Sequence, residues 1–150
     1  MTAIEIPQRM NFTTVAPKVF KAVLALDAAA RDGLDPVLLE LVQIRASQVN
    51  RCAYCIDYHT GDARKAGETE ERIYQLSAWE ESSLYTAKER AALALTEAVT
   101  LLPAGVPDSV YDEAARHFEE KELAQLIALI FTVNAWNRMN VTTRKVPGTE

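Results

Sequence analysis

Four side chains have the types and spacing for chemistry: Glu40, Cys52, Cys55 and His59, the last three inside RCAYCIDYH at 51–59. The pair Cys52 and Cys55 has three readings. As a structural disulfide it would close a loop of a few residues, and cross-link stabilisation grows with loop length, so the pair makes a poor staple. As a zinc site, Cys52, Cys55 and His59 supply three ligands, with Glu40 or Asp57 as a fourth. Structural zinc sites, however, usually take a second Cys/His pair from a distant segment. The chain has no third cysteine, and its other histidine, His117, reads as an exposed helix-end residue.

Redox chemistry fits the spacing better. On a helix, residues i and i+3 face the same way, near enough for a disulfide to form and break. With Asn50 as the expected N-cap, both thiols fall in the first two turns, where unpaired backbone N–H groups favour a thiolate. His59 follows Cys55 by four residues and Cys52 by seven, which aligns all three. An imidazole there can take a thiol proton and steady the charge it leaves. In thioredoxin-type helices the first cysteine attacks, which nominates Cys52; the i, i+4 relation to His59 nominates Cys55.

Glu40 precedes Cys52 by twelve residues, about 18 Å along one straight helix. A helical hairpin turning near residue 50 would instead bring residue 40 back opposite residue 60. The order carboxylate, imidazole, thiol would follow, in which a third group orients the base. The plainer alternative for Glu40 is a solvated carboxylate or an ion pair with Arg45 or Arg64.

The elements that must hold these groups all read as helices. Pro17 opens a helix running toward Gly33, and Asp35-Pro36 is an N-cap followed by proline at the first helical position. CAYCIDYHTGDARKAG ends at Gly67, Thr69 caps a piece through Trp79, and Thr86 with Glu89 forms a capping box. Pro107-Asp108 opens a further helix, and the last runs from about Glu120 to Met139, apolar nearly all round, as a central helix or a subunit seam would be. The class is all-α, a bundle of six to seven helices. Residues 1–13, with Ile4 and Ile6 flanking Glu5, read as an N-terminal arm that packs on a neighbouring subunit; 14–150 form the helical domain.

Bulk composition agrees with one globular domain: 150 residues, 49% hydrophobic and 25% charged. A net charge of -5 with scattered basic residues argues against nucleic acid. No stretch is apolar for long enough to span a bilayer, and MTAIEIPQRMNF lacks the pattern of a secretory leader, so the expected location is the cytoplasm.

Glu40, then Cys52-x-x-Cys55, then His59 resembles the signature of the alkylhydroperoxidase D / carboxymuconolactone decarboxylase family. Ala46-Ser47, DYHTGDARKAG and Asn134-Ala135-Trp136-Asn137-Arg138 agree with it, and the likeness runs from about Pro17 to Arg144. The resemblance implies an all-helical homo-oligomer, a trimer or hexamer, acting as a thiol peroxidase without metal, haem or other cofactor. Cys55 would be the peroxidatic thiol, Cys52 the resolving one, and His59 and Glu40 the proton relay. Some members carry a histidine immediately before the second cysteine, where this chain has Tyr54. The substrate would be a small hydroperoxide, and the electron donor a dithiol on a lipoyl-bearing or thioredoxin-like protein. Two rivals stand beside this expectation: a cofactor-free decarboxylase or isomerase using His59 and Glu40 as acid and base, and a non-enzymatic zinc-binding or redox-sensing scaffold.

Overall fold

Prolines and polar caps decide where the helices begin. In a computed structural model describing residues 2–149, all regular structure is helical. The order is α1 (Phe12–Val15), α2 (Pro17–Arg31), α3 (Pro36–Val49), α4 (Ala53–Lys65), α5 (Glu70–Gln75), α6 (Ala87–Thr100), α7 (Asp108–His117) and α8 (Glu120–Thr143). Short 3₁₀ segments cover Leu76–Glu81 and Leu102–Ala104. Asp35 accepts from the N–H groups of Val37 and Leu38, and both halves of the Thr86–Glu89 capping box are formed. Gly33, at φ 79°, takes the left-handed conformation that turns α2 into α3.

Four boundaries differ from expectation. The additional helix is α1, a single turn capped by the side chain of Asn11, and it straddles residue 13. The piece expected from Thr69 through Trp79 changes to 3₁₀ geometry at Leu76. Leu76 and Trp79 lie on either side of a kink at Ala78, where φ is -124° and ψ 36°, and both enter the core. The last helix continues one turn past Met139 to Thr143, where Arg144 at φ 56° ends it.

The fourth difference concerns the site. Asn50 does not cap α4; it closes α3 and spends its side chain elsewhere, donating from Nδ2 to Oδ1 of Asn134 and of Asn137, both at 2.9 Å. Arg51 turns the chain at φ 58°, and Cys52 itself becomes the N-cap of α4.

Helix α8 is the central element, packed on α2, α3, α6 and α7. Helix α3 lies between two apolar clusters: Leu38, Leu39 and Val42 join Leu126, Leu129 and Ile130 on one side, while Leu41 and Ile44 join Leu76, Trp79 and Leu93 on the other. Every side chain from Leu38 to Ile44 is therefore buried, Glu40 and Gln43 included. Leu129 has no exposed surface. Leu129→Ala is expected to cost about 2–5 kcal/mol, read as a lowered urea midpoint at unchanged slope. Among the described residues, no helix is long and apolar enough to cross a membrane.

Candidate functional site

The α3–α4 hairpin brings residues 40 and 59 together. His59 Nδ1 lies 2.9 Å from Glu40 Oε2, with both side chains buried. Glu40 is also reached by Gln43 Nε2 at 3.3 Å and by Arg31 at 3.5 Å. Neither of the alternative partners, Arg45 or Arg64, is involved: Arg45 pairs with Glu97, and Arg64 lies against Glu68 and Glu70. A carboxylate can only accept from Nδ1, so the imidazole carries its proton there and turns the lone pair of Nε2 to other work.

Behind Glu40 the polar chain continues. Arg31 donates to Asp27 at 2.6 Å and to Gln43 at 3.0 Å, and Trp136 Nε1 donates to Asp27 at 3.2 Å. Burial works against the Arg31 charge, but Asp27, with Glu40 beyond it, outweighs that cost and raises the guanidinium pKa above its ordinary value. A permanent cation thus stands beside Glu40. The carboxylate of Glu40 lies between that cation and the imidazole of His59.

The two sulfurs are joined as a disulfide, with Cα atoms 5.3 Å apart, and their surroundings differ. Cys52 Sγ accepts from the backbone N–H of Cys55 at 3.3 Å, the bond of an N-cap. Cys55 Sγ lies 3.5 Å from Asn140 Nδ2 of α8. A cavity of about 180 Å³ opens beside them. Cys55 and His59 line it and Cys52 does not. Phe12, Phe20, Leu24, Trp136 and Met139 make its wall mostly apolar. Tyr54, where some relatives have histidine, also faces the cavity, with its ring near Tyr58 and Lys145 Nζ 4.5 Å from the ring centre.

The remaining sequence candidates fall elsewhere. Asp57 is exposed, and His117 ends α7 half-buried, bonded to Glu113. Among the described residues, no three His, Cys, Asp or Glu side chains gather as a metal ion would need. The stretch read as an arm also touches this region. Arg9 N–H donates to Thr143 O at 2.8 Å, and Gln8, Asn11, Phe12 and Thr13 complete the cavity wall, while residues 2–7 are exposed.

Sequence reasoning did not find Arg31, Asp27 or Asn140. The signal for Asn140 was present: Asn134, Asn137 and Asn140 recur every three residues in an otherwise apolar helix, a polar stripe that must meet polar partners. Nothing local marked Arg31, because its partner Glu40 lies on the next helix.

Comparison with known proteins gives a consistent answer. Residues 17–98 match the carboxymuconolactone decarboxylase family. The uncharacterised protein YdfG of Bacillus subtilis is 41% identical over 136 residues, which cover 89% of this chain and 92% of YdfG. A protein of unknown function from Agrobacterium tumefaciens, ATU0492, whose name proposes an antioxidant defence role of the AhpD type, superposes with a TM-score of 0.92. It is 36% identical, over 96% of this chain and 100% of that one. The debrominase Bmp8 shares the fold, at a TM-score of 0.80 and 22% identity over 91% of this chain and 75% of its own.

Proposed function

The chain belongs to the carboxymuconolactone decarboxylase family, and on that premise we propose that it is a thiol-dependent peroxidase in which Cys55 attacks and Cys52 resolves. What supports the assignment most directly is the cavity: Cys55 shares it with His59, and Cys52 does not reach it. An N-cap position favours a thiolate on Cys52 as well, but a nucleophile must also meet its substrate.

In the reduced protein, His59 takes the Cys55 proton on Nε2 while Glu40 accepts the Nδ1–H bond and steadies the imidazolium. The thiolate attacks the nearer oxygen of the O–O bond. That bond breaks, Cys55 becomes a sulfenic acid, and the leaving alkoxide takes the proton from His59 to depart as alcohol, or as water if the substrate is hydrogen peroxide. Cys52 then condenses with the sulfenic acid, forming the disulfide and releasing water. A dithiol restores the pair by exchange, becoming a disulfide itself. Its carrier on this reading is a lipoyl-bearing or thioredoxin-like protein.

The apolar wall selects for an organic group. Each buried CH₂ contributes roughly 0.8 kcal/mol. An arylalkyl hydroperoxide is therefore expected to be consumed with a kcat/KM at least about tenfold above that of hydrogen peroxide. The test is peroxide consumption at saturating dithiothreitol or dihydrolipoamide with each substrate in turn. No consumption of either peroxide with any dithiol would sink the reading. A decarboxylase or isomerase resting on His59 and Glu40 alone would instead keep its turnover after both cysteines become serine.

Family membership also supports a cytoplasmic homo-oligomer, trimeric or hexameric. Phe131 and Val141 on α8, and Val19 and Leu26 on α2, are exposed apolar residues that a subunit contact would cover. Residues 1–13 remain our candidate for an arm reaching a neighbouring subunit, now with its last residues against the cavity of its own chain.

A further inference from the structure

We infer that Asn140 is a further catalytic residue, an amide donor that holds the Cys55 sulfur in its thiolate form. The inference rests on the peroxidase reading for its place in the cycle, but on α8 for its argument. Three asparagines, Asn134, Asn137 and Asn140, lie on one buried stripe of that helix. The first two have structural employment. Both accept from Asn50. Asn134 Nδ2 also donates to Thr100 Oγ1 and Ile130 O, and Asn137 Nδ2 to Ser47 Oγ. Together they tie the end of α3 to α8.

Asn140 is placed differently. Among the described residues its side chain donates to no hydroxyl or carbonyl; its Nδ2 lies 3.5 Å from Cys55 Sγ, and both residues line the cavity. Nor is the side chain needed to end the helix, because the main-chain oxygen of Asn140 already accepts from Lys145 N–H at 2.9 Å. The residue is only 6% exposed, so burying this amide carries a cost that a sulfur partner must offset. A neutral thiol or a disulfide is a weak acceptor, whereas a thiolate is charged and makes the stronger bond. The amide therefore gains most when Cys55 has given its proton to His59. It complements the imidazole: His59 removes the proton, and Asn140 lowers the energy of the anion left behind.

The experiment uses the Cys52→Ser protein, in which Cys55 is the sole thiol, and follows its alkylation by iodoacetamide against pH. Adding Asn140→Leu is expected to move the midpoint up by about one pH unit, the shift matching loss of one charge-assisted hydrogen bond. Asn140→Asp, which keeps the side-chain shape but turns a carboxylate on the sulfur, should move it further. A residue that merely packs would change stability and leave the midpoint in place. If Asn140→Leu does not fold, Asn140→Ala, which removes the amide without adding charge, takes its place and decides alone. An unmoved or lowered midpoint in that protein overturns the inference. Because alkylation consumes no peroxide, a raised midpoint in a protein that reduces no hydroperoxide would uphold Asn140 and count against the peroxidase reading alone.

Discussion

Cys55→Ser should abolish hydroperoxide turnover, lowering kcat by roughly 10³-fold or more, because a serine hydroxyl stays protonated where a thiol ionises. Cys52→Ser should fail differently. It keeps the attacking thiol, so without added dithiol it should consume about one equivalent of hydroperoxide and stop, leaving a sulfenic acid with no neighbouring thiol to condense with. A dimedone-type probe should then label Cys55 in the Cys52→Ser protein. Thioredoxin-type logic places the attacker at the first cysteine, and the N-cap bond to Cys52 Sγ is compatible with that. The opposite assignment, which we propose, is supported by access, since Cys55 alone of the pair lines the cavity. Labelling of Cys52 in the Cys55→Ser protein, with none of Cys55 in the converse variant, would reverse the two roles.

Glu40→Gln is the second large effect. Glutamine keeps the shape of the side chain and can still accept from His59 Nδ1, so the fold should survive. What it lacks is the charge that steadies an imidazolium, and Arg31 would remain beside it as a repelling cation. Turnover of a hydroperoxide is expected to fall about 10²-fold, within the usual range for a positioned acid–base group. Alkylation of Cys55 should slow in parallel at neutral pH, because fewer thiols would be ionised. Glu40→Leu goes further and strands Arg31 and His59 without their common partner. Loss of one side of such a buried cluster is expected to cost about 3–5 kcal/mol, visible as a lowered denaturation midpoint. Full peroxide turnover in Glu40→Gln would mean that the carboxylate holds the helices together and takes no part in the chemistry.

The helical reading held wherever local rules act. Pro17, Pro36, Asp35, Thr69 and Thr86 open helices as caps and first-turn prolines should, because those preferences involve only neighbouring backbone groups. It failed at Asn50 for the opposite reason. An asparagine at that point is a good cap by local rules, but Asn134 and Asn137, more than eighty residues away, take its side chain, and the capping position passes to Cys52. The expected continuation through Trp79 likewise breaks at Ala78, with Leu76 and Trp79 buried on either side of it.

Two pairings were legible from spacing, Cys52 with Cys55 because they lie three residues apart, and Glu40 with His59 because a short turn folds residue 40 against residue 60. Amino-acid order by itself thus determined an all-α chain, a cysteine pair and a carboxylate–imidazole pair on one helical hairpin. Tertiary structure alone decided which sulfur meets the cavity, that Arg31 stands behind Glu40, and that Asn140 reaches Cys55. Those facts depend on how α2 and α8 pack against the α3–α4 hairpin. No local pattern encodes them, because packing is settled by the fit of side chains far apart in sequence.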